Sequence, residues 1–297
     1  MMDEMNRLTD NGIENIEQDG DVIDGLDNLL LLDRTNDLAE EDALYPFALD
    51  ELLCRHVGMG GAPLCHLWRH PRAFVMGQRD SRLPGAGEAQ RWLHSLGYST
   101  GVRNTGGAAV PLDLGVVNIS LILPKHERGD KHFHSDFERM YHLIQLALRE
   151  TGCRVDKGEV EGAYCPGDFD LSIGGRKFCG IAQRRQAHAY IVQAFVIAAG
   201  SGRESTQLVR AFYERAAAGA ERLDHPVVTE ESTASLEESA GLGSGAAEVF
   251  TEAVKRVIRA RQTAQGLTEA AAKLWLPEPD QVQETMELFQ RRYGIAP

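Results

Sequence analysis

One thiol and one amine in the stretch Glu161 to Tyr190, EGAYCPGDFDLSIGGRKFCGIAQRRQAHAY, are the residues of this chain best suited to covalent chemistry. Cys165 stands before Pro166-Gly167, a dipeptide that favours a turn, which puts its thiol in a loop. A free thiol with a reference pKa of about 8.5 is only a few per cent thiolate at neutral pH, and a nearby ammonium group activates it. Lys177 is the candidate for that ammonium. The competing reading makes Cys165 a small core hydrophobe, the usual place of an intracellular cysteine. A second stretch, Val102 to Leu123 (VRNTGGAAVPLDLGVVNISLIL), sets Arg103 and Thr105 beside the pair Gly106-Gly107. Backbone amides at such a pair, together with Arg103, can hold a carboxylate, a phosphate or a carbonyl oxygen. The spacing fits neither a P-loop nor a dinucleotide fingerprint, and an ordinary turn is the alternative.

The elements that position these groups can be read from the pattern around them. Asp168 to Ile173 alternates polar and apolar residues, Gly174-Gly175 supplies the positive φ angles of a two-residue hairpin, and Arg176 onwards returns as a strand. A period of two then puts Lys177 and Cys179 on one face and Phe178, Gly180 and Ala182 on the other, where Gly180 lets a backbone or an acyl chain come close. In that register Lys177 faces Ser172, and Cys165 must fold back to reach it. Strands are expected at Leu64 to Trp68, Ala73 to Met76 and Ala189 to Ala198. Helices are expected over Phe47 to His56, Glu88 to Leu96, Glu204 to Ala218, Ser235 to Ser239, Ala246 to Gln262 and Pro279 to Arg292. Ser135-Asp136-Phe137-Glu138 reads as a capping box opening a helix that ends near Gly152.

A chain of 297 residues with 43% hydrophobic content can build a sizeable core. Its net charge of −13 is localised: residues 1–50 hold 15 acids against Arg7 and Arg34, and the remainder balances 29 acids with 29 bases. Residues 1–40 are therefore read as an acidic, mobile segment, and 41–297 as a single domain with a helical C-terminal part. No basic patch argues for nucleic acid. No signal-like N-terminus and no apolar run of membrane-spanning length occurs, which predicts a cytoplasmic protein without a membrane partner. The five cysteines are odd in number and form no C-x-x-C unit, so neither a disulfide framework nor a zinc site is expected. His126, His132 and His134 read as part of a charged, solvated loop rather than a metal site.

RNTGGAAV with a downstream GRKFCGIAQRR resembles the lipoate-protein ligase and octanoyltransferase superfamily over roughly Tyr45 to Arg261. DSRLP at Asp80 to Pro84, VPLDLGVVN at Val110 to Asn118 and YCPGDFD at Tyr164 to Asp170 are most similar to its branch of octanoyl-[glycine cleavage H protein]:protein N-octanoyltransferases. The resemblance implies a mixed α/β fold of the lipoate- and biotin-protein ligase type. By match to the motifs it implies that Cys165 carries an acyl thioester and that Lys177 lowers the pKa of the nucleophile. It also implies substrate contacts from Arg103, Thr105, Gly106, Gly107 and Gly180. The implied donor is the glycine cleavage H protein, and the implied acceptors are lipoyl domains of 2-oxoacid dehydrogenase complexes. Ligases of the superfamily carry a His-Asp pair where this chain has Leu112-Asp113, and Gly-Asn where it has Gly115-Val116-Val117-Asn118. Those departures speak against adenylation, so no nucleotide cofactor and no metal are expected. Three alternatives remain: an octanoyltransferase fed by acyl carrier protein, an ATP-dependent lipoate ligase, and a non-catalytic module that binds lipoyl domains.

Overall fold

The longest β-prone runs of the sequence pair into the middle of a seven-stranded mixed sheet. The computed structural model describes residues 26–125, 133–219 and 225–295. In chain order the strands are β1 (Leu30–Arg34), β2 (Leu64–Trp68), β3 (Arg72–Met76), β4 (Ser99–Val102), β5 (Val110–Asp113), β6 (Val116–Pro124), β7 (Asp156–Lys157), β8 (Leu171–Ile173), β9 (Arg176–Arg185) and β10 (Ala189–Ile197). The large sheet runs β1-β2-β6-β10-β9-β8-β7, with β1 and β2 parallel and the other pairs antiparallel. A second sheet, β4-β3-β5, was not anticipated from the sequence.

Alternation along β6 decides what covers each face of the large sheet. Val117, Ile119 and Leu121 point to α3 (Phe133–Ala147) and α6 (Ala246–Arg259), where they meet Met140, Ile144, Phe250 and Val254. On the opposite face, α1 (Tyr45–Gly58) sets Leu49, Leu53 and Val57 against Ile122 and Ile191. Beside α1, the small sheet packs with α2 (Ala86–Ser95), α4 (Gly202–Ala216) and α8 (Pro279–Tyr293) through Phe74, Leu93, Phe212 and Met286. Two short helices, α5 (Leu236–Ala240) and α7 (Ala264–Ala271), complete the chain, and α7 had no forecast.

Three local expectations are corrected. The boundary at residue 40 falls too late: Leu26 and Leu29 are buried in the core, and β1 adds an edge strand in register with β2. The apolar run Leu29 to Leu32 overrides the acidity around it, because burial of several leucines outweighs the local charge. Residues 1–25 lie outside the described part. The capping box also fails, since α3 starts at Phe133 and Ser135 lies inside it. Asp136 instead accepts from Gln183 and Arg185, a tertiary use of the carboxylate.

The third correction concerns the hairpin. Its turn is as expected, with Gly174 at φ 58° and Gly175 at φ 77°, and Ser172 faces Lys177. The ladder then slips: Leu171 pairs with Cys179, so two steps along β9 oppose one along β8. An extra residue of this kind is a β-bulge, and it reverses the facing of everything beyond it. Cys179 joins Leu171 and Phe178 in the core, while Lys177 shares a face with Gly180. If β1 belongs to the folded unit, Leu29→Ala should cost about 2 to 5 kcal/mol in urea unfolding, the ordinary loss for a buried leucine; a midpoint equal to wild type would return this segment to the tail.

Candidate active site

Lys177 lies at the bottom of the site, and its environment follows from the bulge. Its side chain is 1% exposed, and Nζ donates to Tyr164 O (2.9 Å), Cys165 O (2.6 Å) and Asp170 Oδ1 (2.8 Å). An ammonium group has three protons, and here each has an acceptor. The backbone beneath it is tied as well: Lys177 N–H donates to Ser232 O, and Ala234 N–H donates to Lys177 O. Burial pushes the Asp170 carboxyl up to about 6, and the Lys177 ammonium works against that rise.

The two carbonyls held by Lys177 belong to the loop that carries the thiol. Cys165 adopts φ 49°, one of two described non-glycine residues with a positive φ, a conformation that costs on the order of 1–3 kcal/mol. Its Sγ accepts from Ala108 N–H at 3.2 Å and from Arg103 Nη2 at 3.4 Å. The cation on the thiol is thus Arg103, whereas Lys177 grips the backbone behind it. Burial pushes the thiols of Cys54, Cys65 and Cys179 up, and none of the three lines the cavity described below.

Arg103 also organises the glycine loop. Its Nε donates to Gly106 O at 3.0 Å and its Nη2 to Ala108 O at 2.7 Å. The two glycines are not equivalent. Gly107, at φ 93°, lies where a Cβ would come within 2.4 Å of Arg103 Nη2 and 2.9 Å of Cys165 Sγ, whereas a Cβ on Gly106 meets nothing within 4 Å. Behind the loop, Ala109 N–H donates to Tyr213 Oη (3.2 Å), which donates to Asp80 Oδ1 (2.9 Å). Asp80 Oδ2 accepts from Gly77 N–H, and Gly77 packs where a Cβ would strike Gly107 O at 2.1 Å. Asp80 is the first residue of the DSRLP segment, so that motif is the sequence signal of this support.

A cavity of about 480 Å³ adjoins the thiol, bounded by the large sheet, the small sheet and the cysteine loop. Arg103, Thr105, Gly106, Gly107, Cys165 and Gly180 all line it, so the six are brought together; Lys177 stands just behind the wall. Phe47, Trp68, Val110, Leu112 and Phe195 make much of the rest apolar. The space that Gly180 frees is partly taken by the Phe195 ring, which would lie 2.5 Å from a Cβ there. Thr105 Oγ1 and Asn118 Nδ2 are buried without protein partners and belong to cavity-lining residues. His134 reaches the rim, while His126 and His132 lie outside the described residues.

The family model for the lipoyl protein ligase A/B catalytic domain matches residues 42–258. The chain belongs to the lipoyl protein ligase A/B family. Within this family it is 42% identical over 210 residues to an octanoyl-[GcvH]:protein N-octanoyltransferase of Anoxybacillus flavithermus, spanning 70% of this chain and 75% of that one. A lipoyl-[GcvH]:protein N-lipoyltransferase of Listeria monocytogenes is 40% identical over 173 residues, 58% of this chain and 62% of its own. The ATP-bound crystal structure of lipoate-protein ligase A aligns with a TM-score of 0.59 at 20% identity, covering 91% of this chain and 96% of that one. This last likeness establishes the fold, and the mixed α/β ligase-type architecture expected from the sequence is the one observed.

Gly107→Ala should lower the rate of Cys165 alkylation by iodoacetamide about tenfold or more, because its methyl group crowds both the thiol and Arg103. The thermal transition should persist, since a positive φ costs an alanine only on the order of 1–3 kcal/mol. For Asp170 the folded pKa is raised, so its contribution to stability is present below its unfolded value near 3.9 and is lost as pH rises through about 6. Wild type should therefore lose about 2 kcal/mol relative to Asp170→Asn between pH 4 and pH 7, measured by urea unfolding at each pH.

Proposed function

We propose that this acyltransferase moves an octanoyl group from the lysine of an octanoylated glycine cleavage H protein to the lysine of a lipoyl domain, through a thioester on Cys165. The observation that carries the reading is the Cys165 thiol beside a largely apolar cavity of about 480 Å³, with Arg103 and Ala108 N–H aimed at its sulfur. The names of the relatives at about 40% identity support the donor.

Each half of the transfer uses the same contacts. Cys165 sulfur attacks the carbonyl carbon of the octanoyl-lysine amide, the carbon–sulfur bond forms, the carbon–nitrogen bond breaks, and the donor's lysine departs as an amine carrying the proton given up by the thiol. The acceptor lysine amine then attacks the thioester, the carbon–sulfur bond breaks as the new amide forms, and the sulfur leaves as thiolate and takes up the proton that the amine sheds. Arg103 and the Ala108 amide favour negative charge on sulfur both as it attacks and as it leaves. Lys177 holds the loop that presents it. Donor and acceptor are both lysine amides, so the exchange is nearly balanced and needs no nucleotide.

The cavity accounts for selection of the chain. Burying about seven methylene or methyl groups at roughly 0.8 kcal/mol each contributes about 5 to 6 kcal/mol, enough to favour octanoyl over acetyl. Leu112, at the position where ligases carry a histidine, adds to the apolar wall. Thr105, Gly106 and Gly107 lie where the acyl carbonyl must pass.

Incubating the protein with octanoylated H protein and an unmodified lipoyl domain, without nucleotide, should transfer octanoyl. Cys165→Ser should abolish transfer and Cys179→Ser should keep most of it. Intact-mass spectrometry should find an octanoyl adduct that hydroxylamine removes. An adduct on Cys179, or a requirement for ATP and magnesium, would overturn the assignment.

A further inference from the structure

The acyl cavity adjoins a wide groove of about 830 Å³ with which it shares Thr105, Gly106, Gly107, Pro166 and Gln183. Through Gln78 and Arg82 this groove continues into a second of about 670 Å³. Arg79, Arg82, Arg184 and Arg185 line the first, and Arg82, Arg91 and Arg292 line the second. The track is basic in a chain of net charge −13.

The carboxylates along it do little to offset that charge at the surface. Asp80 is buried and bound to Tyr213 and Gly77, which leaves Glu88 as the exposed acid of the lining. Glu51 and Asp136 pair with Arg184 and Arg185, so that end is partly neutralised. Farther out, Arg82, Arg91 and Arg292 are exposed, and among the described residues no carboxylate pairs with them.

We propose that this arginine-lined track is the docking surface for the carrier domains, and that it fits a folded domain whose modified lysine is set in an acidic surface. The inference rests on the transfer reading above. Cys165 is 8% exposed, so a protein-borne lysine must be guided to it, and the groove that meets the cavity at the glycine loop provides a way in. Donor and acceptor then use one surface in turn. Complementary charge would speed encounter and fix orientation, and salt would weaken it because these guanidinium groups are solvent-exposed. A small acyl donor needs no such surface, which separates docking from chemistry.

The test compares wild type with Arg82→Glu/Arg91→Glu, two exposed positions away from the thiol. Acylation of Cys165 by octanoyl-N-acetylcysteamine should be unchanged. The kcat/KM with octanoylated H protein, and for transfer on to a lipoyl domain, should fall at least about tenfold at low salt, and the gap should narrow as salt is raised. Unchanged carrier kinetics would overturn the docking surface, as would an equal loss with the small donor. Salt-sensitive binding of a DNA oligonucleotide that the variant loses, with carrier kinetics intact, would assign the track to nucleic acid instead. A wild type that accepts octanoyl from the small donor but from no protein carrier would sink the transfer reading itself, before any variant is compared.

Discussion

A single buried ammonium group holds the site together. Lys177 places one proton on each of two successive carbonyls, Tyr164 O and Cys165 O, and a third on Asp170. Removing that cation from water is costly, and it is tolerated because every donor is matched. The loop it grips cannot relax freely, so Cys165 stays in a left-handed conformation that an unconstrained chain would leave. Strain at the thiol and satisfaction at the lysine are thus two sides of one arrangement.

From that anchor the rest of the site follows by contact. The held loop brings Sγ against the Ala108 amide and Arg103, and Arg103 in turn binds the carbonyls of Gly106 and Ala108. Tyr213 and Asp80 brace the glycine loop from behind. Thiol and glycine loop are therefore positioned against each other by two independent supports, one from β9 and one from α4 with the segment after β3. The cavity between the sheets is left for the acyl chain.

Much of the fold was legible because periodicity and turn chemistry agree over long stretches. Gly174-Gly175 between two β-prone runs specifies its hairpin, and the expected strands Leu64 to Trp68, Ala73 to Met76 and Ala189 to Ala198 are β2, β3 and β10 within a residue of their bounds. What the alternation could not reveal was the bulge beyond Lys177, since an extra residue leaves no mark on composition. The consequence was a misassigned face for Cys179 and Gly180. The six cavity-lining site residues did gather, but the division of labour differs: along the chain Lys177 lies 12 residues from Cys165 and Arg103 lies 62, yet the folded loop puts the guanidinium on sulfur and the ammonium on the backbone behind it. Likewise β1 was hidden by acidic neighbours, although four consecutive leucines, Leu29 to Leu32, were the signal.

The central claim is that the Lys177–Asp170 pair makes Cys165 reactive by holding its loop. The double variant Lys177→Met/Asp170→Asn removes both partners and strands neither charge in the interior. Iodoacetamide labelling of Cys165, followed from pH 6 to pH 10 in wild type and in this variant, tests the claim most directly. The account predicts at least about tenfold slower labelling in the variant at pH 7, with much of the difference recovered at the alkaline end; superposable profiles would contradict it.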